Sequence, residues 1–305
     1  MLPRGIVPVL QTPFDERGAV DETSLARLVD SAVAAGASGL LAPAVASEVS
    51  TLDAGERGRI VRVAAQAARG RVALIVGASA DEASRCVAHA VEAGGIGAAA
   101  YLVAVPRGLY GNPSAIVPFF QDVVAGAGEL PLMIQDLEFG GPGLTLSTIE
   151  ELRRSLPTLV GLKVETVPAG LKYTAVREAF GEGFHISGGW AVPQMIEALD
   201  RGVDAMMPET SMAPVYVAID RAHRGGDREW AQRVFRSLLP VLAYTNQEIA
   251  TSIAFFKRLL VRKGIFSTAR MRMPGFEWDR FGERIADELI EHYLALEAEV
   301  RKAGS

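Results

Sequence analysis

The sequence predicts a (β/α)8 TIM barrel with a C-terminal three-helix appendage. Three observations predict it. Short apolar runs alternate eight times with longer amphipathic stretches across residues 1–225, and strand-helix alternation with short connections means a parallel sheet of barrel size. The first strand runs into Gln11-Thr12-Pro13-Phe14, without the Gly-rich phosphate loop of a doubly wound open sheet. Beyond the last strand, helical patterning continues with no strand between the helices. The expected organisation is a barrel over 1–225 that carries the active site and a helical region over 226–305.

The expected strands are 5–12, 39–44, 73–77, 98–105, 131–136, 159–165, 184–187 and 205–208. Each is short, apolar and bounded by Gly, Pro or polar residues, as buried parallel strands are. Asp21-Glu22-Thr23-Ser24 opens the first helix, with Leu25, Leu28, Val29, Ala32 and Val33 as its apolar stripe. Asp53 caps the second, with Glu56 three residues on as in a capping box. Asp81 is placed as the cap of the third, and Thr145 or Ser147 as that of the fifth. Ala35-Gly36 and Ala93-Gly94 mark helix ends. The tail reads as helices over 228–244, 247–263 and 278–301. Its apolar face, Ile249, Ile253, Phe256 and Leu260, suits either packing on the barrel or a subunit interface.

Composition excludes several classes. The 305 residues are 49% hydrophobic and 22% charged, as in a globular protein with a sizeable core. A net charge of −5 gives no electrostatic reason to expect nucleic acid. The single cysteine, Cys86, can form neither an intrachain disulfide nor a Cys-rich metal site, so the cytoplasm is the default location. Met1-Leu2-Pro3-Arg4-Gly5 lacks the pattern of a signal peptide, and no apolar run is long enough to suggest a membrane partner. His89, His185, His223 and His292 show no metal-ligand spacing, so neither a metal nor another cofactor is expected. No G-x-S-x-G elbow is present.

Active sites of such barrels lie at the C-terminal ends of the strands. Of Lys163, Lys172, Lys257, Lys263 and Lys302, only Lys163 sits inside an apolar strand. Alternation puts Val160, Leu162 and Val164 on one face and Gly161, Lys163 and Glu165 on the other. The aliphatic face suits the helices, so the second points into the barrel. A lysine buried there is costly unless paired or neutral, and neutral lysine adds to carbonyls. A Lys163–Glu165 ion pair that merely fills the barrel is the alternative. Gln135 ends the preceding strand, where it can project beside Lys163 toward a substrate hydroxyl or a water, or simply face a loop. Ser47 and Glu48 follow the second strand and can touch a ligand, although Glu48 also suits a helix cap. Gly188 and Gly189, in Ser187-Gly188-Gly189-Trp190, allow backbone amides to approach a substrate carboxylate, and a plain turn would look the same.

Thr12-Pro13-Phe14, Ser47-Glu48 with Thr51-Leu52, Gly161-Leu162-Lys163 and Ser187-Gly188-Gly189, in that order, resemble the dihydrodipicolinate synthase / N-acetylneuraminate lyase family. The resemblance spans nearly the whole chain. It implies a barrel of class I aldolases and dehydratases, commonly homotetrameric, with Lys163 as the Schiff-base lysine. Ala44-Val45-Ala46-Ser47-Glu48 replaces the synthase's Gly-Thr-Thr-Gly-Glu loop, and Gln135 stands in place of its catalytic tyrosine. Pro106-Arg107-Gly108 replaces a Tyr-Tyr pair, with Tyr110 nearby as a substitute. A true dihydrodipicolinate synthase is therefore not expected.

Gln135-Asp136, Lys163-Val164-Glu165-Thr166 and Ser47-Glu48 resemble the 2-keto-3-deoxy-L-arabonate dehydratase branch. There the Gln and the Glu take over proton handling. Gly189-Trp190-Ala191 departs from the acidic stretch of that branch. The expected function is a Schiff-base lyase on a small 2-oxo acid, foremost the dehydration of a 2-keto-3-deoxy sugar acid. Pyruvate-dependent aldol cleavage, or a barrel that binds a keto acid without catalysis, are the alternatives.

Overall fold

The computed structural model describes residues 2–138, 140–190, 192–274 and 276–303. Its strands are β1 (Gly5–Ile6), β2 (Gly39–Ala42), β3 (Ala73–Gly77), β4 (Ala100–Ala104), β5 (Leu132–Asp136), β6 (Leu159–Val164), β7 (His185–Gly188) and β8 (Ala205–Met206). Between and after them lie α1 (Glu22–Ala35), α2 (Ala54–Ala68), α3 (Ala83–Gly95), α4 (Pro113–Ala127), α5 (Leu146–Ser155), α6 (Gly170–Phe180), α7 (Met195–Asp200) and α8 (Ala213–Arg224). The tail adds α9 (Arg228–Thr245), α10 (Ile249–Arg262) and α11 (Arg280–Ala303). The sheet order is β1-β8-β7-β6-β5-β4-β3-β2, and the fold is a (β/α)8 TIM barrel followed by C-terminal helices. Among the described residues, no helix is long and apolar enough to cross a membrane.

Local chemistry accounts for most element boundaries. Asp21 accepts from the Ser24 amide and so caps α1, Asp53 and Glu56 form the capping box of α2, and Thr145 caps α5. Gly36 ends α1 in the left-handed region. Asp81 does not cap α3: the N-cap is Glu82, with no side-chain bond, which leaves the Asp81 carboxylate one residue too early. The first strand is shorter than the sequence suggests. Pro8 has no amide hydrogen for a ladder, so beyond Ile6 only isolated bridges remain, from Val9 to Leu41 and to Glu209.

The chain forms two compact units. The first comprises Met1–Arg4 and Ala73–Met207. It holds β3 to β8, all parallel, with Gln135 level with Lys163, Lys163 with Ser187, and Ser187 with Ala205. Residues in register share a face, so these side chains form one layer. A lower layer on the same face holds Met133, Gly161 and His185. Gly161 is required there, since a Cβ would lie 2.4 Å from the His185 carbonyl oxygen.

His185 is buried, and its Nε2 has no hydrogen-bond partner among the described residues. Burial is the main force pushing its pKa down from 6.5 to about 4; Asp204 opposes the shift, while Arg4 and Arg177 add to it. Asp204 itself is held by Arg4 at 2.9 Å and Arg177 at 2.7 Å. Below pH 6.5 the unfolded chain binds the proton that the folded ring refuses. Stability is thus fully present above pH 6.5 and falls as pH drops toward 4, by roughly 3 kcal/mol in all. Denaturant unfolding across that window should show the decline, and His185→Gln should flatten it. Equal slopes for both proteins would refute the assignment.

The second unit comprises Gly5–Val72 and Pro208–Ser305, with β1, β2, α1, α2 and the helices from α8 onward. Of the ambiguous tail face, Ile253, Phe256 and Leu260 are buried within the chain and Ile249 is half-buried. This packing removes the apolar stripe from water without a second subunit.

Candidate active site

Leu159–Val164 forms a strand because branched residues face the helices on one side. Its other face carries Lys163 into the layer of Gln135 and Ser187. Lys163 is 3% exposed and Glu165 7% exposed, so both charges are withdrawn from water. Lys163 Nζ lies 3.0 Å from Glu165 Oε1. The ion pair that the sequence left as an alternative is therefore formed, and the rest of the site bears on whether it is only filler.

Glu165 has further donors. The Trp190 amide donates to Oε1 at 2.7 Å, and the Gln135 amide donates to Oε2. These two bonds hold the carboxylate even when the lysine is engaged elsewhere, which a filler pair would not need. Gln135 thus binds Glu165 directly. Gly189 keeps the space beside the pair free: a Cβ would lie 2.0 Å from Glu165 Oε1 and 2.6 Å from Lys163 Cε. Gly188 serves differently. A Cβ there would lie 2.5 Å from the Tyr173 hydroxyl and 2.9 Å from Met206 Sδ. Ala191 lies outside the described residues.

The remaining candidates have hydrogen-bond partners of their own. Tyr110 donates to Asp136 Oδ1 at 3.0 Å, and Asp136 projects from β5 on the face opposite Gln135. Burial, and then the Asp136 charge, pushes the Tyr110 pKa up, so the phenol is a poor proton donor at neutral pH. Ser47 belongs to the second unit, where its hydroxyl donates to the Leu10 carbonyl and accepts from the Ala44 amide at 3.0 Å. Glu48, also there, is 1% exposed and is ion-paired to the fully buried Lys257. It accepts from the Arg272 amide at 2.7 Å and the Met273 amide at 2.9 Å. These bonds hold Glu48 at φ 54, a left-handed backbone unusual for a residue with a side chain. Burial pulls the Lys257 pKa down to about 8 against the opposing Glu48 charge.

Sequence reasoning missed three participants. Asp136 is fully buried and also binds Lys172 at 2.6 Å and the Leu144 amide at 2.9 Å, which anchors the end of β5 behind Gln135. A charge closing an apolar strand was the available signal. Trp190 acts through its backbone, which no side-chain pattern reveals. Tyr173, on α6, is buried, and its hydroxyl has no partner among the described residues. Burial chiefly raises its pKa, with the nearby Glu165 charge adding.

Fold and site together define a (β/α)8-barrel protein with a buried lysine–carboxylate pair at the end of β6. The model of the dihydrodipicolinate synthetase family matches residues 2–291, and the chain belongs to that family. It is 28% identical over 276 residues to an L-2-keto-3-deoxyarabonate dehydratase of Azospirillum brasilense, covering 89% of this chain and 88% of the relative. It is 34% identical over 165 residues to a 4-hydroxy-tetrahydrodipicolinate synthase of Thermus thermophilus, covering 52% of this chain and 54% of that one. Among solved structures, a dihydrodipicolinate synthase from Rhodopseudomonas palustris superposes with a TM-score of 0.88 at 23% identity, over 95% of this chain and 97% of that chain. A Ruminococcus gnavus sialic acid aldolase gives a TM-score of 0.89 at 17% identity, over 97% of this chain and 99% of that chain. These two likenesses speak for the fold alone.

Proposed function

We propose that the protein is a Schiff-base-forming lyase for a 2-oxo acid, and that it dehydrates a 2-keto-3-deoxy sugar acid. The observation that carries this reading is the buried Lys163, 3.0 Å from a carboxylate that Gln135 and the Trp190 amide also hold. The match to a dehydratase over most of both chains supports the choice of substrate class.

The chemistry follows from the groups present. Glu165 accepts a proton from the Lys163 ammonium, and the free amine attacks the C2 carbonyl carbon. Glu165 returns its proton to the carbinolamine hydroxyl, which leaves as water, and the resulting iminium draws electrons from C3. Glu165 then removes a C3 proton, and the electron pair becomes an enamine. Departure of the C4 hydroxyl, protonated by the same carboxyl group, releases a second water. Hydrolysis of the remaining imine returns Lys163 and frees a dehydrated 2-oxo acid. A positioned base of this kind contributes about 10²–10⁴-fold, and the covalent stage divides one hard step into easier ones.

Borohydride reduction in the presence of pyruvate, followed by peptide mass mapping, tests the covalent stage. An adduct on Lys163 is expected. An unmodified Lys163 would overturn the lyase reading. Product analysis on 2-keto-3-deoxy acids then separates dehydration, which gives a dehydrated oxo acid, from aldol cleavage, which gives pyruvate.

A further inference from the structure

The C-terminal ends of β5 and β6 carry the three groups of the proposed reaction: Gln135 on β5, Lys163 on β6 and Glu165 directly after it. The two strands are tied together there on both faces. On the barrel side the Gln135 amide donates to Glu165. On the opposite face, where Asp136 lies in register with Val164, the Asp136 carboxylate accepts from Lys172 Nζ at 2.6 Å. Lys172 sits in the first turn of α6, the helix that follows β6. This ion pair therefore runs from the end of one strand to the element that continues the other. The backbone between the two faces is bonded from the Glu165 amide to the Asp136 carbonyl at 2.9 Å.

Asp136 gathers more than this pair. Its other oxygen accepts from the Tyr110 hydroxyl at 3.0 Å and from the Leu144 amide at 2.9 Å, and Lys172 also donates to the Pro142 carbonyl. Gly143 leaves the room: at φ 69, a Cβ there would lie 2.3 Å from Asp136 Oδ1 and 2.6 Å from Oδ2. Asp136 is fully buried, and the Lys172 side chain is 15% exposed. A buried ion pair stabilises little compared with apolar residues of the same volume, and its best-attested use is to fix register. Register has a chemical consequence here. Strand ends are among the first parts of a sheet to open, and Gln135 meets Glu165 only while the ends of β5 and β6 stay level.

We infer that Asp136 and Lys172 are positioning residues: an ion-pair staple behind the barrel wall that keeps β5 and β6 level and so keeps Gln135 on Glu165. The step they serve, proton transfer by Glu165, rests on the lyase reading above. Both residues act through Gln135 and Glu165 rather than on the substrate, and Tyr110 and the Leu144 amide hold the same carboxylate from the other side.

The test is a double-mutant cycle on the whole protein. Lys172→Met should lower kcat by up to about 10²-fold, the cost of misplacing a catalytic group by about 1 Å. Gln135→Ala should lower it as well. In the double variant the two losses should coincide rather than multiply, because both act by freeing Glu165. Losses that multiply, as they do for independent sites, overturn the inference, and so does a wild-type kcat in either single variant. Lys172→Arg keeps the charge and should recover most of the lost rate; a loss equal to that of Lys172→Met overturns the inference too. A second arm needs neither substrate nor turnover. Hydrogen exchange at the Gln135 side-chain amide, followed by ¹⁵N NMR and assigned by its absence from Gln135→Ala, should speed up by on the order of tenfold in Lys172→Met. Unchanged exchange overturns the staple. If the wild type turns over no 2-keto-3-deoxy acid and pyruvate leaves no adduct, the lyase reading fails by itself, and the exchange arm still decides the staple. If Lys172→Met does not fold, Tyr110→Phe takes its place in both arms. It removes one hydroxyl donor from Asp136, so a smaller loss is expected, and multiplicative losses or unchanged exchange count against the staple in the same way.

Discussion

Replacing Lys163 with arginine is expected to lower turnover by on the order of 10⁴-fold or more and to abolish borohydride trapping by pyruvate. Arginine keeps the positive charge that Glu165 faces at 3.0 Å. It cannot supply a free amine, because its guanidinium stays protonated at any pH the protein survives. The fold should therefore persist while the chemistry stops. Lys163→Ala should lose activity to the same extent but also cost stability. Breaking a buried pair strands its partner, at about 3–5 kcal/mol. The lower end is expected here, since Gln135 and the Trp190 amide still hold Glu165. Steady-state rates, trapping and denaturant unfolding on both variants check this. Turnover by Lys163→Arg near the wild-type rate would end the Schiff-base assignment.

Glu165→Gln separates the covalent stage from proton transfer. The amide keeps the size of the carboxylate but accepts no proton. Its kcat should fall by about 10²–10⁴-fold, while slow trapping of pyruvate on Lys163 persists at high pH. The pH dependence of the residual rate should also change, because the group that relieves Lys163 of its proton is gone. A purely structural role for Glu165 would instead reduce trapping and turnover together and leave the pH profile alone. Coincident losses of that kind would remove Glu165 from the mechanism.

Much of this is legible in the sequence. The eight strands were readable because buried parallel strands leave short apolar runs between polar boundaries, and all eight occur where those runs lie. Lys163 was readable for a related reason: one charge inside such a run has few places to go. Its face-sharing with Glu165 followed from the two-residue period of a strand. Where the first strand ends was less legible, because Pro8 interrupts its ladder inside an apolar run.

Other assignments depended on partners far away in sequence. Glu48 reads as a ligand-touching residue or a helix cap, and its carboxylate is held by Lys257, 209 positions further on, and by the Arg272 and Met273 amides. Tyr110 reads as a substitute for missing tyrosines, and the partner of its hydroxyl, Asp136 at the end of β5, lies 26 positions away. The glycines after β7 read as a cradle for a substrate carboxylate; that the next amide, of Trp190, holds Glu165 is a contact between strands that no local pattern records.

By itself the sequence determined the barrel, the position of Lys163 and the company of Glu165 on its face. These depend on period and polarity, which are local properties of the chain. Which carboxylate each buried donor meets depends on long-range packing. A buried charge or amide must find a partner wherever the fold brings one, and neither spacing nor composition records that choice.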